Sequence, residues 1–346
     1  MGRMGRRTFV YENRPAIKGW ASVAGPKEGQ GPLGHTFDAV SEDDLWGQKS
    51  WEQGEREMLR QCVETCVQKG GMALDSVQAV LCGDLLNQII TSSFAARALG
   101  TPFLGLYGAC STMIEALLIG GALVDGGYLA NAVCAASSHF STAERQYRFP
   151  LEMGCQRPPS AQWTVTAAGS MLLDGKDKRS EAVLTHGTMG RVVDYQITDA
   201  NHMGAAMAPA VADTLQFHLS DTGRTMQDYD LIATGDLGHI GRELLMELLA
   251  RRGIAVDAGR LIDCGDSIFS KRQRDVNAGG SGCGCVASVL CGWLMRRMKD
   301  GELSRMLLIG SGALLSTTSS QQGESIPGIA HAVVIERRAR DAVVAD

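Results

Sequence analysis

The stretch GLYGACSTMIEALLIGGALVDGG, residues Gly105–Gly127, decides how this chain is read. A small-residue turn, Gly108-Ala109, delivers Cys110 into the start of an almost wholly apolar helix expected over Ser111–Val124. A helix start carries unpaired N–H groups and a partial positive charge, which stabilise a thiolate and favour bound anions. Cys110 is therefore either a nucleophile or part of a pocket that binds without reacting.

Outward from this helix, short β-rich apolar runs alternate with longer helical ones, the pattern of an α/β protein. Strands are expected in SVQAVLCGD, ANAVCAAS, GSMLLDG, EAVLTHG, DLIATGD, RMLLIGSG and AHAVVIE. Further helices are expected near Trp51–Lys69, Arg242–Arg252 and Cys285–Lys299. Two matches point to an internal duplication. VLCGDL (Val80–Leu85) resembles IATGDL (Ile232–Leu237), each closing in Gly-Asp-Leu. ALVDGGYLANAVCAAS lies over RRMKDGELSRMLLIGS at an offset of about 175 residues, which sets Asp125-Gly126 on Asp300-Gly301 and Cys110 on Cys285. The charged stretch DGKDKRSE (Asp174–Glu181) reads as the link, giving halves at 1–179 and 180–346.

Composition narrows the classes of function. The chain has 346 residues, 45% hydrophobic and 21% charged, as expected of a globular protein with two linked halves. A net charge of −5 argues against general nucleic-acid binding. The basic N-terminus lacks the apolar core of a signal peptide, and the longest uncharged run, Val276–Met295, starts too rich in glycine for a bilayer span. A soluble or peripheral chain is expected. The ten cysteines are scattered through apolar runs, as buried reduced thiols are. The close pairs Cys62/Cys66 and Cys283/Cys285 have no partners to complete a zinc site, so no metal site is expected.

The Gly-Ala-Cys-Ser-Thr turn entering a buried helix, inside a duplicated α/β chain, resembles the thiolase and ketoacyl synthase superfamily. More closely, YGACST, AERQYRFP, QRPPSAQWTVTAAG and MGAAMAPA resemble the stage V sporulation protein AD family, over about Lys18–Arg337. The resemblance implies a five-layered α-β-α-β-α thiolase-like fold of two duplicated halves. It implies binding of dipicolinic acid, free or as its calcium chelate, during uptake into the developing spore and release on germination. It also implies membrane and soluble partners from the same operon, peripheral association with the forespore or spore inner membrane, and no cofactor. A homodimer is implied by analogy with the superfamily, and the run NAVCAA is compatible with an edge strand.

Condensation chemistry needs a proton-handling partner beside the cysteine. In the thiolases a histidine lies in the Gly-rich turn before the last long helix; here that turn is VNAGGSGCG. Where the second thiolase cysteine is expected, the strand LLIGSG offers Leu308, and no cysteine follows Cys291. The place of the ketoacyl synthase histidine reads GDLGHIG, giving Asp236, with His239 three residues on. The nucleophile position is kept and its partners are missing. Cys110 is read as vestigial, and an active acyl transferase using Cys110 stands as the alternative.

Three clusters are candidates for holding a flat dicarboxylate. The helix start offers Cys110 and the N–H and hydroxyl groups of Ser111 and Thr112, Ser111 reading equally as a helix cap. The run SSHFSTAERQYRFP, read as a binding loop, offers His139, Gln146 and two guanidinium groups, Arg145 and Arg148, one of them reserved for an ion pair with Glu144 or Glu152. DANHMGAAMAPA offers His202, Met203 and Met207, with Asn201 as an alternative helix cap. Asp236 or Glu144 is a candidate to complete the shell of a chelated calcium ion.

Overall fold

The computed structural model describes residues 2–147 and 156–338. Ten principal strands form the framework. The first five are β1 (Ala16–Ala24), β2 (Val80–Gly83), β3 (Phe103–Gly105), β4 (Asn131–Ser138) and β5 (Ala167–Asp174). They lie in the order β3-β2-β4-β5-β1, with β2 parallel to β3 and β4, and β5 antiparallel to β4 and β1. The second five are β6 (Ala182–Thr188), β7 (Leu231–Thr234), β8 (Leu261–Asp263), β9 (Arg305–Ala313) and β10 (Gly328–Arg337). Their order, β8-β7-β9-β10-β6, repeats the first with the same directions. One residue pair, Val183 with Ala16, joins β6 to β1 across the seam. The expected duplication is thus present strand for strand.

Helices fill three layers around the two sheets, each with its own apolar cluster. On the outer face of the first unit lie α1 (Trp51–Lys69) and α2 (Ile90–Leu99). Helix α1 starts where the sequence places it, because Ser50 accepts the Gln53 N–H as N-cap and Glu52 sits in the first turn. Its apolar face, with Met58, Leu59, Cys62, Val63 and Cys66, packs on β1, β5 and β4. Between the sheets lie α3 (Thr112–Asp125) and a helix that starts over Cys283–Val289. Helix α3 is buried on nearly every side, so it carries no polar stripe. Gly120 and Gly121 let it approach: a Cβ at Gly120 would lie 2.6 Å from Cys134 Sγ. The other outer face is covered by the helices Met203–Thr222 and Gly238–Arg251.

Several expectations shift. NAVCAA belongs to β4, paired on both sides and wholly buried, so it is not an edge strand; the edge of this unit is β3, with Leu104 exposed. The run after β4, read as a loop, forms α4 (Phe140–Tyr147), the element between α3 and the helix Met203–Thr222 (α5); Gly238–Arg251 is α6 and Cys283–Val289 is α7. Helix α7 continues through one π-type turn, Leu290–Leu294, into Met295–Lys299. Because α7 starts at Cys283, Cys285 lies inside the helix and fully buried, and is not a second copy of the Cys110 turn. Among the described residues no helix is long and apolar enough to cross a membrane.

Candidate functional site

Cys110 sits in a tight turn, Ala109–Ser111, between β3 and α3. Ala109 adopts a left-handed φ of 50°, a conformation that costs a non-glycine residue about 1 kcal/mol or more. The turn is closed by its own polar groups. The Ser111 N–H and Oγ both donate to the Gly108 carbonyl, at 3.1 and 2.7 Å, and Thr112 Oγ1 donates to the Ala109 carbonyl at 2.7 Å. The Thr112 N–H is also taken, by the Ala109 carbonyl. The expected anion-receiving N–H and hydroxyl groups of Ser111 and Thr112 are therefore spent within the turn, and Ser111 makes no side-chain cap.

Cys110 forms part of the wall of a narrow pocket with a cavity volume of about 40 Å³, well below the ~300–1,000 Å³ usual for drug-sized ligands. Most of its lining is apolar: Leu85, Ala109, Ala143, Met203, Ala313 and Leu315. Polar atoms come from Tyr107, Tyr147, Glu144, Thr164 and Ser281. A short parallel pairing of Trp163–Thr164 with Gly280–Ser281 brings the last two together from distant parts of the chain. Tyr107 and Tyr147 also line an outer chamber of about 450 Å³, shared with Asn87, Gln146 and Ser316–Thr318. Their hydroxyls lie 2.6 Å apart beside the Leu85 carbonyl, so one hydroxyl donates to the other and that other to the carbonyl, and the pair stands where the two spaces meet.

Among the described residues lining the inner pocket, Glu144 is the one charged side chain. It pairs with Arg157 at 2.9 Å, both side chains being at most 10% exposed, and accepts from Thr164 Oγ1 at 3.2 Å. Arg157 also donates to the Gln162 carbonyl and lies 5.6 Å from the ring centres of Phe140 and Trp163, which stack at 3.6 Å. The buried charge is thus paired before any ligand arrives.

Behind Cys110 lies Asp236, only 1% exposed. Its carboxylate accepts the Gly282 N–H at 2.8 Å, the Ser311 hydroxyl at 3.0 Å and the Cys110 thiol. Burial pushes its pKa up to about 7, and the nearby Asp263 carboxylate adds to the rise. Asp236 therefore supports the wall from behind and is not among the residues lining the pocket.

The other candidates scatter. Met203 lines the pocket as the first residue of α5, and Gln146 lines the outer chamber, hydrogen-bonded to Asn87. His139 is buried, its Nε2 on the Asp44 carbonyl at 2.7 Å and its Nδ1 accepting the Ser141 N–H at 3.1 Å. Burial lowers its pKa, so the neutral ring serves as a structural bridge. Arg145 pairs with Glu52 and lies over the Trp51 ring, because its position on α4 faces α1 and not the pocket. His202 occupies the N-cap of α5 without capping it, Asn201 makes no cap either, and neither lines the pocket. Met207 is fully buried in the core under β9 and β10. Arg148 and Glu152 lie outside the described residues. Sequence reasoning missed Tyr107, Tyr147, Thr164, Ser281 and the Arg157 pairing. Both tyrosines and Arg157 stand inside the motifs quoted above, but nothing in a linear pattern shows which face they present.

The family model for stage V sporulation protein AD matches residues 5–336. The stage V sporulation protein AD of Bacillus subtilis (strain 168) is 43% identical over 333 residues, covering 96% of this chain and 97% of that protein. Among solved structures, cerulenin-bound OleA from Xanthomonas campestris aligns at 14% identity with a TM-score of 0.60, covering 94% of this chain and 97% of that one. The 3-oxoacyl-[acyl-carrier-protein] synthase III of Aquifex aeolicus VF5 aligns at 11% identity with a TM-score of 0.57, covering 93% and 99%. At those identities the likeness is one of fold, that of the thiolase-like condensing enzymes, while the full-length sequence match is far more specific. The chain belongs to the stage V sporulation protein AD family.

Proposed function

We propose that this protein is a condensing-enzyme scaffold that has given up chemistry and kept its pocket. In this reading it binds dipicolinic acid, free or as the calcium chelate, and takes part in its movement into the developing spore and out on germination. The observation that carries the reading is the pairing behind Cys110. Condensing chemistry sets a histidine beside the nucleophile to handle protons, and here the group behind Cys110 is instead a buried carboxylate. Among the described residues lining the pocket none is a histidine.

The narrow inner pocket and the outer chamber together suit a small flat ring, with mainly apolar inner walls, the Tyr107 and Tyr147 rings between the two and the Ser316–Thr318 hydroxyls on the outer side. Where calcium enters with the ligand, Glu144 is the carboxylate it meets. Peripheral association with the spore inner membrane, and work beside membrane and soluble partners of the same operon, belong to the same reading. So does a homodimer, for which the open edge at β3, with Leu104 45% exposed, is a ready surface.

Calorimetric titration with dipicolinate, with and without calcium, on the wild type and Cys110→Ala tests the proposal. Saturable binding that survives loss of the thiol is expected. Absence of binding in both proteins would sink the dipicolinate reading, and a stable acyl group on Cys110 by mass spectrometry would favour the acyl-transferase alternative.

A further inference from the structure

The inner pocket has no room for a six-membered ring as it stands. Its cavity of about 40 Å³ compares with roughly 150 Å³ for an engineered cavity that accepts benzene. The outer chamber, about 450 Å³, is large enough. Tyr107, Ala109, Tyr147, Ala313 and Leu315 line both spaces, and the two tyrosines close on each other. The Tyr147 hydroxyl bonds to the Leu85 carbonyl and lies 2.6 Å from the Tyr107 hydroxyl, which is 3.4 Å from the same carbonyl. Beside them Gln146 Nε2 donates to Asn87 Oδ1 at 3.1 Å, while the Asn87 N–H donates to Gln146 Oε1 at 3.2 Å. Both sets of bonds tie α4 to the loop after β2. The start of α4 is anchored in the core instead, by Phe140 N–H on Thr166, Thr142 Oγ1 on the buried Glu55, and Glu144 on Arg157. The loop is strained where α4 meets it: Gln88 and Ile89 adopt left-handed φ values of 59° and 47°. Such residues persist only where surrounding contacts hold them.

We propose that Tyr107 and Tyr147 form a gate between the two spaces, closed by their hydroxyl pair on the Leu85 carbonyl, which sets the size of ligand that reaches Cys110. It opens when Tyr147 and Gln146 release the loop while the anchored start of α4 stays in place, and the inner pocket then joins the chamber. The closing bonds are partly exposed to solvent, where each contributes modestly, and relief of the strained loop favours release. The closed form is therefore favoured by a small margin. A ligand shifts such a balance only if it binds the open form better. A ring bearing carboxylates does so, because in the closed form the two hydroxyls are spent on each other and on Leu85, whereas in the open form each donates its proton to a carboxylate oxygen.

The gate rests on the binding reading above for its ligand, and is tested without that ligand. Cys110 is alkylated in the full-length wild type, Tyr147→Phe, Tyr107→Phe and Gln146→Ala by iodoacetamide and by iodoacetanilide, which differ by one ring. Rates come from peptide mass spectrometry, each divided by the rate in the urea-unfolded chain. In the wild type iodoacetanilide should lag iodoacetamide by about tenfold or more, the effect of a gate closed by two or more ordinary hydrogen bonds. Tyr147→Phe keeps the ring and loses both hydroxyl contacts, and should remove most of the lag. Tyr107→Phe leaves Tyr147 on the Leu85 carbonyl and should shrink the lag by about threefold, the effect of one such bond. Gln146→Ala should shrink it similarly, and keeps the test open if a tyrosine variant fails to fold. Cys134 and Cys285, fully buried elsewhere, should keep their wild-type rates; a rise shared by them would mark general loosening and count against the gate. A wild-type lag below twofold, or one unchanged in the variants, overturns the proposal. Dipicolinate titration of the same preparations gives the separate arm: binding with an unchanged lag sinks only the gate, and a lag that shrinks as expected without binding sinks only the ligand.

Discussion

Removing Arg157 should be among the most damaging single changes near the pocket. Its guanidinium is 10% exposed and its partner Glu144 is 3% exposed, at 2.9 Å. Taking away one member of such a buried pair costs about 3–5 kcal/mol, although Glu144 keeps its contact with Thr164. Arg157→Met also loses the contact of the cation with the Phe140 and Trp163 rings, worth about 0.5–1 kcal/mol. Methionine keeps most of the volume, so little of the loss comes from a cavity. The expected cost is about 4 kcal/mol, against total stabilities of about 5–15 kcal/mol. Urea unfolding of the wild type, Arg157→Met, Glu144→Gln and the double variant forms the cycle. The double variant should be more stable than Arg157→Met alone, with a coupling of about 2–3 kcal/mol and an unchanged urea dependence. A coupling below about 0.5 kcal/mol would show that the pair behaves like an exposed one, and the account of Glu144 as a pre-neutralised charge would fail.

Two further expectations concern stability. Glu28 is fully buried, accepts the Thr166 N–H at 2.9 Å, and burial pushes its pKa up to about 8. The folded state then holds a proton that the unfolded chain releases near ~4.3, so stability falls as pH rises between those values and levels off above them. Glu28→Gln should shrink the drop in melting temperature between about pH 6 and pH 9; an unchanged drop would assign the titration elsewhere. Gly169 on β5 faces α7, where a Cβ would lie 2.2 Å from the Ala287 carbonyl oxygen and 2.3 Å from its carbon. Backbone cannot move aside as a side chain can, so Gly169→Ala should lower the urea midpoint by about 1–3 kcal/mol of stability or more. A wild-type midpoint would mean the seam is looser than its contacts show.

Legibility followed the physics of each element. Helix α1 was readable end to end, because a cap, a 3.6-residue apolar spacing and terminal charges all agree over Ser50–Lys69. Most of the long buried strands were readable as apolar runs between turns; β1, AIKGWASVA, was not, because Lys18 and Gly19 break its apolar run. Short ones such as β3 and β8, three residues each, were not, since a tripeptide carries no period. NAVCAA was placed at an edge because small buried residues leave no sign of which neighbours pair with them. Helix α4 was hidden by its polar composition; its register comes from packing on α1 and on the strand Trp163–Thr164. At the site, Cys110 was legible from its turn, and the absence of a histidine partner from the Gly-rich run. Which arginine is buried was not, because Arg145 and Arg157 differ only in what the fold sets against them.

A five-stranded unit with one apolar face left open cannot persist alone in water, and here each unit closes the other. The largest apolar cluster takes Leu81, Leu117 and Leu173 from the first and Val286, Leu308 and Val333 from the second, while the sheets themselves share a single residue pair. Such an arrangement is what a symmetric pair of identical chains becomes once its members are fused. Fusion frees the two copies to diverge, and the same Gly-Asp-Leu corner shows how far they have gone. In the first copy Asp84, itself fully buried, holds Ser92 in the first turn of α2; in the second, Asp236 holds Gly282 and Ser311 behind Cys110. Two equal parts thereby came to take different roles around the pocket that Cys110 lines.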